Sequence, residues 1–207
     1  MILDFEETKK LLRKYRIPFT KTEKISSKKE ALKKADQLGY PLVLKVFSPN
    51  IYHRTEKELV RNNLKEREEL KRAFLSLKKK TPEKGVLLLE KKEEGIELMA
   101  GMKRDPVFGP VVIFGLGGVF VEILKDISFA LSPLSRENAK KAIKNIKGYK
   151  ILRGYRNNPP VDLNKLADFL IKVSKLAEEN PKIKEIDFNP IFAKGGRIKA
   201  VDFKIIC

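Results

Sequence analysis

Asn189 and Asp202 stand in two alternating runs, 183–192 and 197–206, joined by Gly195-Gly196. A Gly-Gly pair between such runs is a strong two-residue hairpin signal. The turn sets the register: with Lys194 paired to Arg197, counting outward puts Asn189 opposite Asp202, Asp187 opposite Lys204 and Phe188 opposite Phe203. Side chains alternate faces along a strand. Ile186, Phe188, Val201, Phe203 and Ile205 therefore share an apolar face, and Asp187, Asn189, Asp202 and Lys204 a polar one. Directly opposed Cβ atoms lie roughly 4.5–5.5 Å apart, near enough for Asn189 and Asp202 to share one cation. Hard oxygen donors, few in number, suit Mg²⁺, which completes its octahedron with water and substrate phosphates. The same spacing also fits a solvated hairpin face with an incidental Asn–Asp pair.

The elements that must position such a site are legible from capping signals and periodicity. Asp4 with Glu7 is a capping-box pattern ahead of Phe5, Thr8, Leu11, Leu12 and Tyr15, which predicts an opening helix. Ser27 with Glu30 repeats it before a second helix closed by Gly39. Pro41 to Phe47 reads as a buried strand with Lys45 in its middle, and residues 65–80 as a third helix. Strands are expected at 85–90, 96–102, 110–114, 119–124 and 128–131, punctuated by Gly, Pro and Asp. Helices follow at 135–146 and along the apolar stripe Leu163, Leu166, Phe169, Leu170, Val173 and Leu176. The pattern is α+β, in two lobes covering residues 1–92 and 93–207.

Composition bounds the function. The net charge of +18 attracts polyanions such as nucleotides, CoA or an acidic partner. Charged residues make up 35% of the chain, with Lys and Glu mixed along helices, a pattern also expected of thermophile surfaces. Aromatic residues are 8%, without Trp, and sit in apolar runs instead of among basic residues, which argues against a nucleic-acid stacking platform. No apolar run approaches the roughly 20 residues of a membrane span. The acidic opening MILDFEETKK is unlike a signal peptide, so a cytoplasmic location is expected. A single cysteine, Cys207, rules out a disulfide framework and a thiolate metal site.

Four segments together carry a family resemblance: GYPLVLKVFSPNIYHRT at 39–55, GIELMAGMKRDPVFGPVVIFGLGGVFVEILKDISF at 95–129, GYRNNPPVDL at 154–163 and EIDFNPIFA at 185–193. In order and nearly end to end, they resemble the ATP-grasp β subunit of the archaeal-type ADP-forming acetyl-CoA synthetases, relatives of succinyl-CoA synthetase. The resemblance implies an ATP-grasp fold of two α+β lobes enclosing a nucleotide cleft. It implies ATP/ADP and Mg²⁺ as cofactors, with phosphoryl transfer through phosphohistidine and an acyl phosphate to acyl-CoA. No Gly-rich dinucleotide fingerprint occurs in the chain, so CoA binding is expected on a separate α subunit of a hetero-oligomer.

Residue by residue, the resemblance implies that Lys45 neutralises the nucleotide phosphates, that Arg54 binds the nucleotide, that Glu90 ends the strand lining the adenine pocket, and that Glu97 accepts from nucleotide hydroxyls. A lysine inside an apolar strand carries a desolvation cost that an anion offsets, although a snorkelling edge lysine would do without one. Asn189 and Asp202 match the metal ligands, and Glu122 and Asp187 match acidic positions near the phosphoryl site. Gly115, Gly117 and Gly118 match a loop whose backbone N–H groups approach phosphate; glycines so placed equally serve a bulge or turn. His53, the single histidine, matches the histidine implicated in phosphoryl relay, a role open to imidazole as a neutral-pH nucleophile.

The chain departs from the family at its glycine-rich loop, where Lys57-Glu58-Leu59-Val60 replaces Ala-Gly-Gly-Val. Ala130 replaces a usual arginine, and Asn157 a usual glycine. Glu58 is expected to place negative charge where triphosphate lies, so glycine at 58 and 59 would tighten nucleotide binding. The alternative reading is a catalytically impaired ATP-grasp paralogue acting as a nucleotide-responsive or assembly subunit.

Overall fold

The computed structural model describes residues 1–48, 58–83, 85–118, 124–155 and 159–207. The chain forms two compact units, residues 20–92 and residues 1–19 together with 93–207. It opens on α1 (Phe5–Lys14), started by the expected capping box. Glu7 N donates to Asp4 Oδ1 at 2.8 Å and Asp4 N to Glu7 Oε2 at 3.0 Å. The helix buries Phe5, Thr8 and Leu12, with the Phe5 ring stacked on Phe203 at 5.9 Å. That contact, with bridges from Ile2 to Ile206 and from Phe19 to Ala200, places residues 1–19 with 93–207. This corrects the expected first lobe of 1–92. The shift in pattern near 90–95 marks one crossing between the units, whereas the crossing at Phe19–Thr20 leaves no trace in composition.

The unit 20–92 contains β1 (Thr22–Ile25), α2 (Lys28–Leu38), β2 (Leu42–Phe47), β3 (Val60–Leu64), α3 (Arg67–Lys80) and β4 (Val86–Lys91). Its sheet runs β1-β4-β2-β3, with every pairing antiparallel. Ile25, Leu42, Leu44, Val46, Leu87 and Leu89 point to one face, where Ala31 and Ala35 of α2 and Leu70, Phe74 and Leu77 of α3 close over them. Every residue of β2 is buried, as befits a strand with neighbours on both sides. The short strands β1 and β3 escaped sequence reading because Thr22-Glu-Lys-Ile and Val60-Arg-Asn-Asn-Leu carry too few apolar residues for a periodic signal.

The larger unit adds β5 (Ile96–Asp105), β6 (Gly109–Leu116), β7 (Ile127–Leu131), α4 (Arg136–Lys144), α5 (Tyr149–Leu152), α6 (Leu163–Glu178), β8 (Glu185–Lys194), β9 (Arg197–Ala200) and β10 (Phe203–Ile206). Its sheet runs β10-β8-β5-β6-β7, with β9 also on β8. Phe188 is fully buried and meets Phe169 of α6 edge-on at 5.6 Å. Since Phe203 lies opposite Phe188, α1 and α6 cover the same face of this sheet. Asp187 and Lys204, one residue along, belong to the other face.

Candidate functional site

Lys45 sits in the central strand of the smaller unit, and its ammonium lies 2.9 Å from Glu90 Oε1. The two side chains are only 6% and 1% exposed. The register explains the meeting: Val43 is opposite Glu90 and Lys45 opposite Leu88, so Lys45 and Glu90 are diagonal neighbours on one face. Thr22, directly opposite Glu90, donates its hydroxyl to the same oxygen at 3.2 Å. Lys45 is thus fully interior and no snorkelling edge residue, and Glu90 is no surface glutamate. Thr22 went unnoticed in the sequence because it lies on the unrecognised strand β1. This face of the sheet, away from α2 and α3, carries a fixed cation beside an anion and a hydroxyl.

Glu58 differs from expectation. Its carboxylate is bonded to Lys80 Nζ on α3 at 2.8 Å, and Arg61 donates to its carbonyl at 2.9 Å. Lys80, first through the hydrogen bond and then through its charge, holds the Glu58 carboxyl below its ordinary range. The pair is largely exposed, so it directs the Glu58 carboxylate toward α3 with only a weak hold. Leu59 is a buried member of the core under α3. Leu59→Ala is therefore expected to cost about 2–5 kcal/mol in a urea titration, whereas Glu58→Gly, at a residue with φ of 52°, should leave the midpoint nearly unchanged. Equal midpoints for both variants would contradict this assignment.

In the larger unit the hairpin forms as counted. Lys194 pairs with Arg197 and Ile191 with Ala200, and beyond a break at residues 201–202 Phe188 pairs with Phe203 and Lys204 with Asp187. One register thus runs through the break and leaves Asn189 across from Asp202. Val201 N still reaches Pro190 O at 3.0 Å, and Asp202 Oδ1 accepts from Phe203 N at 3.0 Å. Burial first, then the charge of Asp202 and of Glu185, push the Asp187 carboxyl up to about 6 from its ordinary 3.8, with Lys204 opposing. Two carboxylates on one sheet face, at an electrostatic cost, are what a hard cation would relieve, and the register sets Asn189 on the same face. Among the described residues no group of three or more His, Cys, Asp or Glu forms a closed metal site. The donor set therefore fits Mg²⁺ shared with water and phosphate oxygens.

The Asp187 shift has a sign that can be tested. The unfolded carboxyl releases its proton near 3.8 and the folded one near 6, so metal-free stability falls as pH rises through that window. The difference corresponds to roughly 3 kcal/mol. Asp187→Asn, which cannot ionise, should match the wild type at pH 3.5 and exceed it at pH 7.5 in EDTA. Urea curves that keep the same spacing at both values would contradict the shift.

Glu97, exposed on β5, meets the glycine segment. Its carbonyl accepts from Gly117 N at 2.9 Å, and its carboxylate fills the space where a Cβ of Gly118 would sit. Gly118 favours glycine through its φ of 59°, since the exposed Glu97 carboxylate can swing aside. Gly115 lies within β6 and would press a Cβ to 2.5 Å from Asp126 O, and Gly117 would press one to 2.7 Å from Leu98 O. Close backbone approach accounts for these two glycines without a ligand, and the Gly117 amide is already engaged. Sequence reading missed Asp126, a buried carboxylate that accepts from Lys147 N at 2.6 Å and Gly148 N at 2.7 Å. These bonds tie the connection before α5 to the base of the β6–β7 segment. Lying just before a strand in Lys125-Asp126-Ile127, it carried no local signal beyond its charge.

His53, Arg54, Glu122, Asn157 and most of the expected strand 119–124 lie outside the described residues. Of the residues singled out, Lys45 and Glu90 are brought together in one unit, and Asp187 and Asp202 in the other, with Asn189 on the same strand face by register and Glu97 beside Gly117 and Gly118.

The whole chain, residues 1–207, matches the ATP-grasp domain family. It is 43% identical over 207 residues to the beta subunit of acetate–CoA ligase [ADP-forming] I from Pyrococcus furiosus, covering 97% of this chain and 89% of that one. It is 40% identical over 184 residues to acetate–CoA ligase [ADP-forming] I from Archaeoglobus fulgidus, covering 86% of this chain but 27% of that longer protein. It also superimposes, with a TM-score of 0.86 and 39% identity, on a solved acetyl-coenzyme A synthetase of Ca. Korarchaeum cryptofilum, covering 99% of this chain and 92% of that one. That structure holds coenzyme A and Mg-AMPPCP, with a phosphohistidine segment pointing towards its nucleotide site. The chain belongs to the ATP-grasp domain family, among the beta subunits of ADP-forming acetate–CoA ligases.

Proposed function

We propose that this chain is the nucleotide-binding β subunit of an ADP-forming acyl-CoA synthetase, exchanging a phosphoryl group with ADP/ATP while a separate subunit binds CoA. The Asp187 and Asp202 carboxylates on one sheet face, where burial first and then the Asp202 charge push Asp187 up, carry the reading most directly. Asn189 and Asp202 hold Mg²⁺, which when bound offsets phosphate charge that repels nucleophile and leaving group alike. Asp187 and Glu122 stand by the phosphoryl group, and His53 relays it. Lys45, paired with Glu90, neutralises the nucleotide phosphates, Glu90 ends the strand that lines the adenine pocket, Arg54 binds the nucleotide, and Glu97 accepts from nucleotide hydroxyls. Gly118 lies beside it, with Gly115 and Gly117 shaping the loop. In the titratable site a proton on Asp187 competes with metal, so nucleotide·Mg²⁺ binding strengthens as pH rises through about 6.

The relatives in which the matched region is one part of a longer chain support a partner that supplies the CoA site. The test is reconstitution with acetate, CoA and ATP. Alone, the chain forms no acetyl-CoA; co-purified with a CoA-binding subunit it forms acetyl-CoA and ADP in equal amounts. Turnover by the chain alone, or an assembled pair that binds nucleotide yet never turns over, would overturn the reading, the latter in favour of an impaired paralogue.

A further inference from the structure

Apolar side chains crowd one corner of the larger unit. The turn after β5 is fixed by Asp105, whose Oδ1 accepts from Val107 N at 2.8 Å and Phe108 N at 2.9 Å, with Gly109 at φ 71°. It presents Val107 and Phe108 to solvent at 81% and 64% exposure. Beside it runs β7, with Leu131 opposite Val111 and Phe129 opposite Ile113. Phe129 and Leu131 are 60% and 53% exposed. They face away from α4, because Ser128, on the other side of the strand, bonds Ala142 O of that helix at 2.7 Å.

Among the described residues strand β7 is the edge of its sheet, and Ile-Ser-Phe-Ala-Leu carries no charge. Exposed edges are ordinarily guarded by lysine, proline or a bulge. In a chain that is 35% charged, an unguarded apolar edge beside an apolar turn marks a surface that is covered in the assembled protein. A rigid turn offering a phenylalanine is also a low-entropy anchor.

The surface is continuous with the candidate site. Phe129, Ile113, Gly101, Asp187 and Lys204 are successive partners across five strands and so form one row on one face. At roughly 4.8 Å per strand, Phe129 stands about 15 Å from Asp187. A chain docked on Phe129 and Phe108 therefore has its neighbouring surface within reach of the Asp187–Asn189–Asp202 patch.

We infer that the corner formed by Val107, Phe108, Phe129 and Leu131 docks the CoA-binding partner subunit, so that the partner's reacting segment is delivered along this row to the metal patch. The inference rests on the proposed function. A second copy of this chain is a poor occupant, since each copy carries a net charge of +18 and like charge opposes association. The continuity of the matched region with a much longer chain in the Archaeoglobus relative points instead to a different module beside it.

The test is co-expression of the tagged chain with the subunit that accompanies the Pyrococcus furiosus beta subunit, followed by size-exclusion chromatography and an affinity titration. Phe129→Lys, which suits an edge strand, and Phe108→Ser should each weaken assembly at least about 30-fold while leaving the melting temperature and ADP·Mg²⁺ binding unchanged. Variants that assemble like the wild type would overturn the inference. So would a wild-type homodimer that these substitutions dissociate, or a wild-type chain that binds nucleotide but never assembles with that subunit. A wild-type chain that binds no nucleotide would instead sink the proposed function.

Discussion

Lys45→Met is expected to destabilise the unit 20–92 by about 3–5 kcal/mol, the cost of breaking a buried ion pair from one side. Lys45 and Glu90 are 2.9 Å apart and almost wholly out of water, so deletion of the ammonium removes the positive charge that offsets the desolvation of that carboxylate. Lys45→Met with Glu90→Leu should recover most of the loss, because apolar residues of similar volume replace such a pair at little cost. The measurement is urea unfolding of the single and double variants. A double variant as unstable as the single would show that the pair's contribution lies in packing. The arrangement itself explains why the ammonium is held in place before any anion arrives: its position is set by three strands, through Thr22, Lys45 and Glu90.

Asp202→Asn should abolish the Mg²⁺-dependent gain in nucleotide affinity, since disturbing even the groups behind a metal ligand costs about 10–100-fold. The fold should survive, because an asparagine carbonyl can still accept from Phe203 N, the bond Asp202 makes now. Asn189→Ala should act in the same direction but less, having removed a neutral donor. Calorimetric titration of ADP with and without Mg²⁺ reads both. Unchanged magnesium dependence in both variants would leave the hairpin as a structural closure of its sheet.

The hairpin was the most legible part of the site because its register depends on one local cue, Gly195-Gly196, and strand alternation carries that cue outward. The break at residues 201–202 did not shift the count. Helices with caps and stripes were legible for the same reason, Asp4 and Glu7 being the clearest. What escaped were features made by non-local contact. Residues 1–19 join the larger unit through Phe5 on Phe203 and Phe19 beside Ala200, contacts that no local pattern announces. Glu58 looked like a misplaced charge in sequence, yet its partner Lys80 lies 22 positions away on α3. Leu59, in a segment read as a phosphate lid, is core. Asp126 and Thr22 act on groups 21 and 68 positions distant, and polar residues of that kind are silent until the chain is folded. The glycines at 115 and 117 were visible as a cluster, but only the backbone approach of Asp126 and Leu98 shows what requires them.

A nucleotide site completed by Mg²⁺ at Asn189 and Asp202 is read by calorimetry of the wild-type chain with ADP and ATP at pH 7.5, in EDTA and in excess Mg²⁺. Saturable binding of both nucleotides is expected, strengthened at least about tenfold by Mg²⁺, with the gain shrinking as the pH falls below about 6, where Asp187 takes up its proton. Binding that is absent, or indifferent to Mg²⁺ at every pH, would contradict it.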